Sequence, residues 1–484
     1  MTDRATRGAA LARRVMAGAL VALLVMLAGM MWPRRGHQAV QCRLPGVEES
    51  ARCLSVDVPE TPLDPASRRL GIHVMVLPGR PAGPRREPLV LIQGGPGVPG
   101  TLMARTFARR EELRQGRDLV LFDQRGTGGS ALLTCAHLGR FNFLGALFPP
   151  HHVRACRGAN ARQADLDSYT NATSAEDLEA IRKALGVESW SLAGYSFGTR
   201  LAQAYARRYP QRVRAVVLDG VVPFDAELTS DLAPAMERSL DYVVSRCERD
   251  DACRRRYPDT RAAIRRLAER LGNSTVDIAV TDSTGQTLTG KFGRWDFTYA
   301  VRGMLYGQLA AAIPAWVHEA ERTKDFSDFA RVYWQRSRWV GDSTSLALHL
   351  GVYCSEDLPF TDSARAVRIA HGTFMGDRYF LEYRAGCREW PMPRAAMEMR
   401  QPWRSDIPSL LLSGERDPVT PPEYGERVVR HLSRARHIVI PGGGHAEQGA
   451  CKTHVVAAFL NDPARAVTTT CLDLLDFPPF LIAR

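Results

Sequence analysis

The feature that most narrows the fold is a serine held between two glycines at the end of an apolar run. Residues 189–193 read as a strand, and residues 198–208 read as a helix that stops at Tyr209 and Pro210. Between them stand Gly194, Tyr195, Ser196, Phe197 and Gly198. A serine on so tight a strand-to-helix turn is held above the sheet edge with Oγ exposed, and the flanking glycines let the chain bend and pack closely. In a chain with 40 glycines the pentapeptide alone says little. Its position between a strand and a helix is what makes Ser196 the candidate nucleophile.

The neighbouring sequence predicts the same architecture. Residues 53–58 and 70–77 read as strands, separated by Pro62, Asp64 and Pro65. The runs 88–93 and 118–122 are apolar without alternation, as in strands of a parallel sheet covered on both faces. They lead into Gly94-Gly95-Pro96-Gly97 and Asp123-Gln124-Arg125-Gly126. Segment 174–185 reads as a helix capped by Ser174, and 213–218 as a strand. Strands alternating with helices give an α/β, doubly wound sheet.

Residues 224–403 break that alternation. They are mostly helical, at 233–249, 261–271, 299–309 and 316–322, with a hairpin-like insert over 275–292. The α/β pattern resumes at 409–412, 424–432, 437–440 and 453–460. The expected organisation is an N-terminal segment and tether at 1–41, a core over 42–223 and 404–484, and a helical lid insertion over 224–403. A chain of 484 residues is long enough to bury such a core.

A serine hydroxyl needs a base, and the base needs an orienting acid. On this architecture they follow the nucleophile in the order acid, then histidine. Asp417 and His445 both stand in loops just after predicted strands, His445 behind Gly442, Gly443 and Gly444. Glu415 and Asp219 compete for the acid, and His454 and His371 for the base. The oxyanion needs backbone donors. Phe197 N–H follows the nucleophile, and Gly95 is the expected second donor because Pro96 has no N–H.

Arg4, Arg7, Arg13 and Arg14 precede an uncharged run at 15–32, closed by Arg34 and Arg35. A positive flank before about 18 apolar residues predicts an export segment with its arginines in the cytoplasm. The run is longer than a cleaved signal usually carries, which favours a membrane anchor over a secreted or periplasmic form. All ten cysteines follow it: Cys42, Cys53, Cys135, Cys156, Cys247, Cys253, Cys354, Cys387, Cys451 and Cys471. An even count in an exported chain predicts disulfides, and nearest-neighbour closure is the simplest pairing. No ligand spacing suggests zinc, so neither metal nor cofactor is expected. The formal charge of +12 comes almost wholly from arginines scattered in short groups such as Arg109-Arg110 and Arg254-Arg255-Arg256. That scatter, without a basic stripe, argues against a nucleic-acid partner.

Several motifs together are more specific than the fold. Gly94–Gly97, Asp123–Ser130, Gly194–Gly198, Glu415-Arg416-Asp417-Pro418-Val419-Thr420-Pro421 and Gly442–His445 resemble the proline iminopeptidase and tripeptidyl aminopeptidase group of α/β-hydrolases. The resemblance spans residues 45–475. It includes Tyr353–Asp357 and Cys387–Trp390, which are similar to the end of the lid in the secreted tripeptidyl aminopeptidase-like branch. It implies an α/β-hydrolase fold with a mostly parallel sheet and a helical lid. The implied activity is a serine exopeptidase that releases residues or short peptides from a free N-terminus without metal. Gln93 departs from the histidine many relatives carry, which bears on the oxyanion geometry.

An aminopeptidase must hold an ammonium, which calls for a buried, hydrogen-bonded carboxylate. Glu356 and Asp357, beside Cys354, are the candidates, and the resemblance favours Glu356. Helix capping or a solvent-facing position is the alternative for both. Arg125 is expected to fix its own loop by ion pairing. Two other functions remain open: an esterase or other acyl hydrolase on the same triad, and a binding protein without catalysis. The intact Ser196, Asp417 and His445 argue against the last. The expected partners are a peptide with a free N-terminus and, through the N-terminal segment, the membrane.

Overall fold

The computed structural model describes residues 39–43, 50–62, 64, 66–81, 84–135, 147–281 and 285–482. The predicted export segment at 15–32 and its flanking arginines lie outside the described residues. Residues Gln41–Arg484 form one compact unit.

In chain order the strands are β1 Val40–Arg43, β2 Ser50–Pro59, β3 Arg69–Leu77, β4 Leu89–Ile92, β5 Leu119–Phe122, β6 Trp190–Tyr195, β7 Val213–Asp219, β8 Val276–Thr281, β9 Thr287–Phe292, β10 Ser409–Gly414 and β11 Ala435–Ile440. Nine of these described strands join in the order β1-β2-β3-β5-β4-β6-β7-β10-β11. The β2–β3 and β3–β5 pairs are antiparallel, and every pairing from β5 to β11 is parallel.

The unalternating runs have a simple cause. Strands β4, β5, β6 and β10 are buried at every residue because the sheet is covered on both faces. Period-two geometry sends successive side chains to opposite cores. Val90, Ile92, Val120, Phe122, Leu192 and Leu218 enter one core, while Leu89, Leu91, Leu119, Leu121, Ala193 and Val217 enter the other. Each of these side chains larger than alanine contributes about 1.5–3 kcal/mol by leaving water.

The helix Gly198–Arg208 is buried from Gly198 through Ala206 and ends before Pro210, as its sequence predicts. The helix Asn171–Ala184 begins earlier than expected. Its cap is Thr170, which exchanges hydrogen bonds with Thr173, whereas Ser174 is buried inside the first turn. Thr170 is preferred because its hydroxyl reaches the free N–H of Thr173. Asp177 then faces inward and takes a forked ion pair from Arg125 at 2.8 and 2.7 Å.

Between β7 and β10 the chain is mainly helical, from Leu228–Arg249 to Arg378–Glu389, and β8 and β9 form a separate antiparallel hairpin. Among the described residues no helix is long and apolar enough to cross a membrane. The ten cysteines join in five sequential pairs: Cys42–Cys53, Cys135–Cys156, Cys247–Cys253, Cys354–Cys387 and Cys451–Cys471.

Candidate active site

Parallel register brings the site together. Ile92 pairs with Gly194, Tyr195 with Asp219, Leu412 with Asp219, and Gly414 with Ile440. The C-terminal ends of β4, β6, β7, β10 and β11 therefore share one sheet edge. The loops carrying Gly95, Ser196, Asp417 and His445 all leave from it, where ligands bind in open α/β sheets.

Ser196 has a φ of 53°, a left-handed conformation that a residue with a Cβ adopts at a cost of about 1–2 kcal/mol. The surroundings hold it there. Ser196 N–H donates to the Asp219 carbonyl at 2.8 Å, and Ser196 O accepts from Thr199 N–H and Oγ1 at 2.9 and 2.7 Å. The turn requires both glycines. A Cβ on Gly194 would stand 2.7 Å from the Gly198 carbonyl oxygen, and one on Gly198 would collide with the Ile92 carbonyl.

His445 Nε2 lies 2.9 Å from Ser196 Oγ. Its Nδ1 lies 2.8 and 3.0 Å from the two oxygens of Asp417. Asp417 has no exposure. It accepts from Val419 N–H and Thr420 N–H at 2.8 Å each, and from Thr420 Oγ1 at 2.8 Å. Burial would raise its pKa, but the facing imidazole and the Thr420 and Val419 donors outweigh burial and hold the carboxyl below its ordinary range. The acid is thus kept ionised by its protein partners. His445 is fixed from a third side, because its N–H donates to the Tyr306 carbonyl at 3.0 Å and the Tyr306 ring packs edge-on at 5.4 Å.

The β4 loop adjoins the serine turn: a Cβ on Gly94 would lie 3.0 Å from Phe197 N. Gly94 N–H donates to Gln93 Oε1 at 2.9 Å. Gln93 thus folds onto its own loop at the position where the family resemblance departs. Among the described residues, neither Gly95 N–H nor Phe197 N–H donates a hydrogen bond, and both residues line the cavity beside Ser196. The arrangement can support acyl transfer: a hydroxyl, a base within reach, an orienting carboxylate and two nearby N–H donors.

The competing candidates are engaged elsewhere. Asp219 forms a buried ion pair with Lys452 at 2.5 Å. Glu415 accepts from Tyr242 and from Gly442 N–H, bracing a turn. His454 is exposed and faces Glu112, and His371 lines a different cavity.

The structure places Glu356 and Asp357 at helix N-termini, the capping alternative, rather than on the cavity wall beside Ser196. Glu356 accepts from Asn171 N–H at 2.8 Å and Asn171 Nδ2 at 2.6 Å. Asp357 accepts from Leu228 N–H at 2.7 Å and Thr229 Oγ1 at 2.9 Å. Each carboxylate occupies the N-terminus of a helix, where free N–H donors and the helix dipole favour it. Neither lines the cavity that contains Ser196.

That cavity has a volume of about 800 Å³ and runs under residues of the helical segment, among them Tyr299, Arg302, Tyr333 and Tyr383. Among the described residues no Asp or Glu lines it, and its charged lining groups are Arg302 and Arg336. Thr420, Tyr306 and His349 are site residues that the sequence reading missed. Thr420 lies inside the Asp417–Pro421 motif, so its signal was present. No group of His, Cys, Asp and Glu suited to a metal ion gathers among the described residues.

Comparison with known proteins agrees with this architecture. The family model described as alpha/beta hydrolase fold matches residues 87–448. Serine protease Hip1 of Mycobacterium tuberculosis is 27% identical over 320 residues, covering 59% of this chain and 58% of its own length. The chain therefore spans less than two thirds of that relative. Proline iminopeptidase of Xylella fastidiosa is 31% identical over 138 residues, 28% of this chain and 33% of that protein. The solved proline iminopeptidase of Mycobacterium smegmatis aligns with 84% of this chain and 98% of its own at 20% identity and a TM-score of 0.42. With its model matched from β4 to β11 and over every loop of the site, the chain belongs to the alpha/beta hydrolase fold family.

Proposed function

We propose that this protein is an exported serine peptidase acting on short peptides, with Ser196 as its nucleophile. Ser196 Oγ attacks the scissile carbonyl while His445 takes its proton. His445 returns that proton to the leaving amine as the C–N bond breaks. Asp417 keeps the imidazole oriented, and the Gly95 and Phe197 N–H groups receive the oxyanion. A water deprotonated by His445 then splits the acyl-enzyme, releasing a carboxylic acid and restoring Ser196. The observation that carries this reading is the continuous contact from Ser196 Oγ through His445 to buried Asp417.

Peptide chemistry is supported by similarity to relatives named serine protease and proline iminopeptidase. The cavity volume suits a small ligand, for which pockets run about 300–1,000 Å³. Export is supported by the Arg-flanked apolar segment and the five cysteine pairs. Release from a free N-terminus is the version the family resemblance favours. With Glu356 and Asp357 buried as caps, the ammonium would rest on aromatic faces and carbonyls of the wall.

A cavity wall with no carboxylate among the described residues favours a second reading, an esterase on the same triad. The test is turnover by the purified protein of peptide arylamides with free N-termini, their N-blocked counterparts and short acyl esters. Faster cleavage of free amides supports the aminopeptidase form. Equal cleavage of free and blocked amides leaves a peptidase without N-terminal selection, and turnover of esters alone selects the second reading.

A further inference from the structure

Arg302 is a guanidinium only 6% exposed on the wall of the cavity that holds Ser196. Three other buried arginines spend donors on acceptors, whereas Arg117 also keeps Nε and Nη1 without a partner. Arg125 pairs with Asp177, Arg200 donates to the Pro223 and Ala226 carbonyls, and Arg416 donates to the Gly442 and Leu305 carbonyls. Arg302 has no carboxylate partner among the described residues. Its Nη2 donates to Tyr306 Oη at 2.8 Å, and its Nε is buried without a partner. Its surroundings are aromatic, with Tyr299, Tyr306 and Tyr379 ring centroids at 4.8, 5.3 and 5.4 Å.

A second guanidinium joins it from another helix. Arg336 lies 3.6 Å from the Tyr306 ring centroid and lines the same cavity, and its Nε is also buried without a partner. Two cations therefore converge on one tyrosine whose ring packs against His445. Ring faces repay about 0.5–2 kcal/mol per contact, less than the several kcal/mol it costs to bury a charge unpaired. An anion entering the cavity would complete the pairing, and a planar guanidinium fork matches a carboxylate geometrically.

We propose that Arg302 and Arg336 form a subsite for a carboxylate carried by the substrate peptide, set beside His445 by Tyr306. This rests on the serine-peptidase reading and adds a selectivity to it. The carboxylate has two possible sources, an acidic side chain near the scissile bond or the C-terminus of a short peptide. Either makes the preferred substrate anionic where the described cavity wall is cationic.

The test uses the purified full chain and matched peptide pairs with products followed by mass. One arm compares Glu with Gln at each position beside the scissile bond, and the other compares free with amidated C-termini. The expected result is kcat/KM about 10- to 100-fold higher for the carboxylate member in one arm, the size of a charge-assisted hydrogen bond. The arm that responds names the source. In Arg302→Gln and Arg336→Gln the preference falls toward unity. Because it is a ratio within each variant, it is insensitive to the fraction folded, and the partly exposed Arg336 serves if Arg302→Gln does not fold. Wild-type protein that cleaves both members of every pair equally overturns the subsite and leaves the peptidase standing, as do arginine variants that keep the preference. Failure to turn over any peptide, charged or neutral, overturns the peptidase reading and the subsite with it.

Discussion

His349 and Pro96 are joined by a 2.9 Å hydrogen bond from the imidazole Nδ1 to the carbonyl oxygen of the loop before the serine turn. The other ring nitrogen accepts from Tyr383 Oη at 2.8 Å. A carbonyl only accepts, so Nδ1 carries a proton, and a neutral ring leaves Nε2 as the acceptor. Burial agrees, pushing the His349 pKa down to about 4 against the opposing pull of the Pro96 carbonyl. The Ser345 N–H adds a bond to the Gly97 carbonyl at 2.8 Å. The helical segment thus braces the loop that carries Gly95. We expect His349→Ala to lower kcat about 10- to 100-fold with a smaller change in KM, since a displacement of about 1 Å has effects of that size. His349→Gln, which can still donate to Pro96, should recover part of the loss. An unchanged kcat in His349→Ala would show that the loop does not need this brace.

Asp417 is buried, ionised and faced by Nδ1 of His445. Asp417→Asn keeps the shape but favours the wrong imidazole tautomer, and kcat should fall about 10,000-fold. Thr420→Val removes one donor to the carboxylate and should cost far less, about tenfold. Steady-state kinetics on one substrate checks both, and similar losses in the two variants would contradict the assigned order of roles.

Asp296 predicts a pH dependence of stability. It is 5% exposed; Oδ2 accepts from Gly293 N–H at 2.8 Å, and Oδ1 has no partner among the described residues. Burial pushes its carboxyl up to about 6. The folded state then binds this proton more tightly than the unfolded chain, so its contribution to stability declines as pH rises from about 4 to about 6. Above that window the deficit is complete at about 3 kcal/mol, two units at about 1.4 kcal/mol each. Asp296→Asn should therefore be nearly neutral at pH 4 and stabilising by about 2–3 kcal/mol at pH 7.5. Denaturant melts of both proteins at the two values decide it, and a difference that does not change with pH would contradict the raised pKa.

Arg125 and Asp177 make a forked pair with almost no exposure. Removing one partner leaves an unpaired buried charge, so Asp177→Ala should destabilise by about 3–5 kcal/mol. Replacing both by apolar residues of similar size should recover much of that. Urea unfolding of the single and double variants measures it, and a single-variant loss below about 1 kcal/mol would remove the pair from the fold's stability.

The sheet was legible because strands covered on both faces announce themselves as unbroken apolar runs, as in β4, β5 and β6. The loops of the site follow from strand ends, so Ser196, Asp417 and His445 could be named before any geometry. The positions of Glu356 and Asp357 at helix N-termini could not. Their partners Asn171, Leu228 and Thr229 stand more than 100 residues away, and no local pattern distinguishes a helix cap from a ligand carboxylate. Ser174 was misread for a related reason: Thr170 and Ser174 both suit a cap, and burial decides between them. Tyr299, Arg302 and Tyr306 are spaced to share a helix face, but spacing alone does not reveal that this face borders a cavity rather than solvent.

The most direct measurement of the central claim is covalent labelling of the purified protein with an organophosphorus reagent that phosphorylates activated serines. Digestion and mass mapping should find one adduct, on the peptide bearing Ser196. The adduct and peptide turnover should both disappear in Ser196→Ala, with an unchanged melting temperature. An adduct elsewhere, or turnover that survives Ser196→Ala, would contradict the assignment of Ser196, His445 and Asp417 as the catalytic residues.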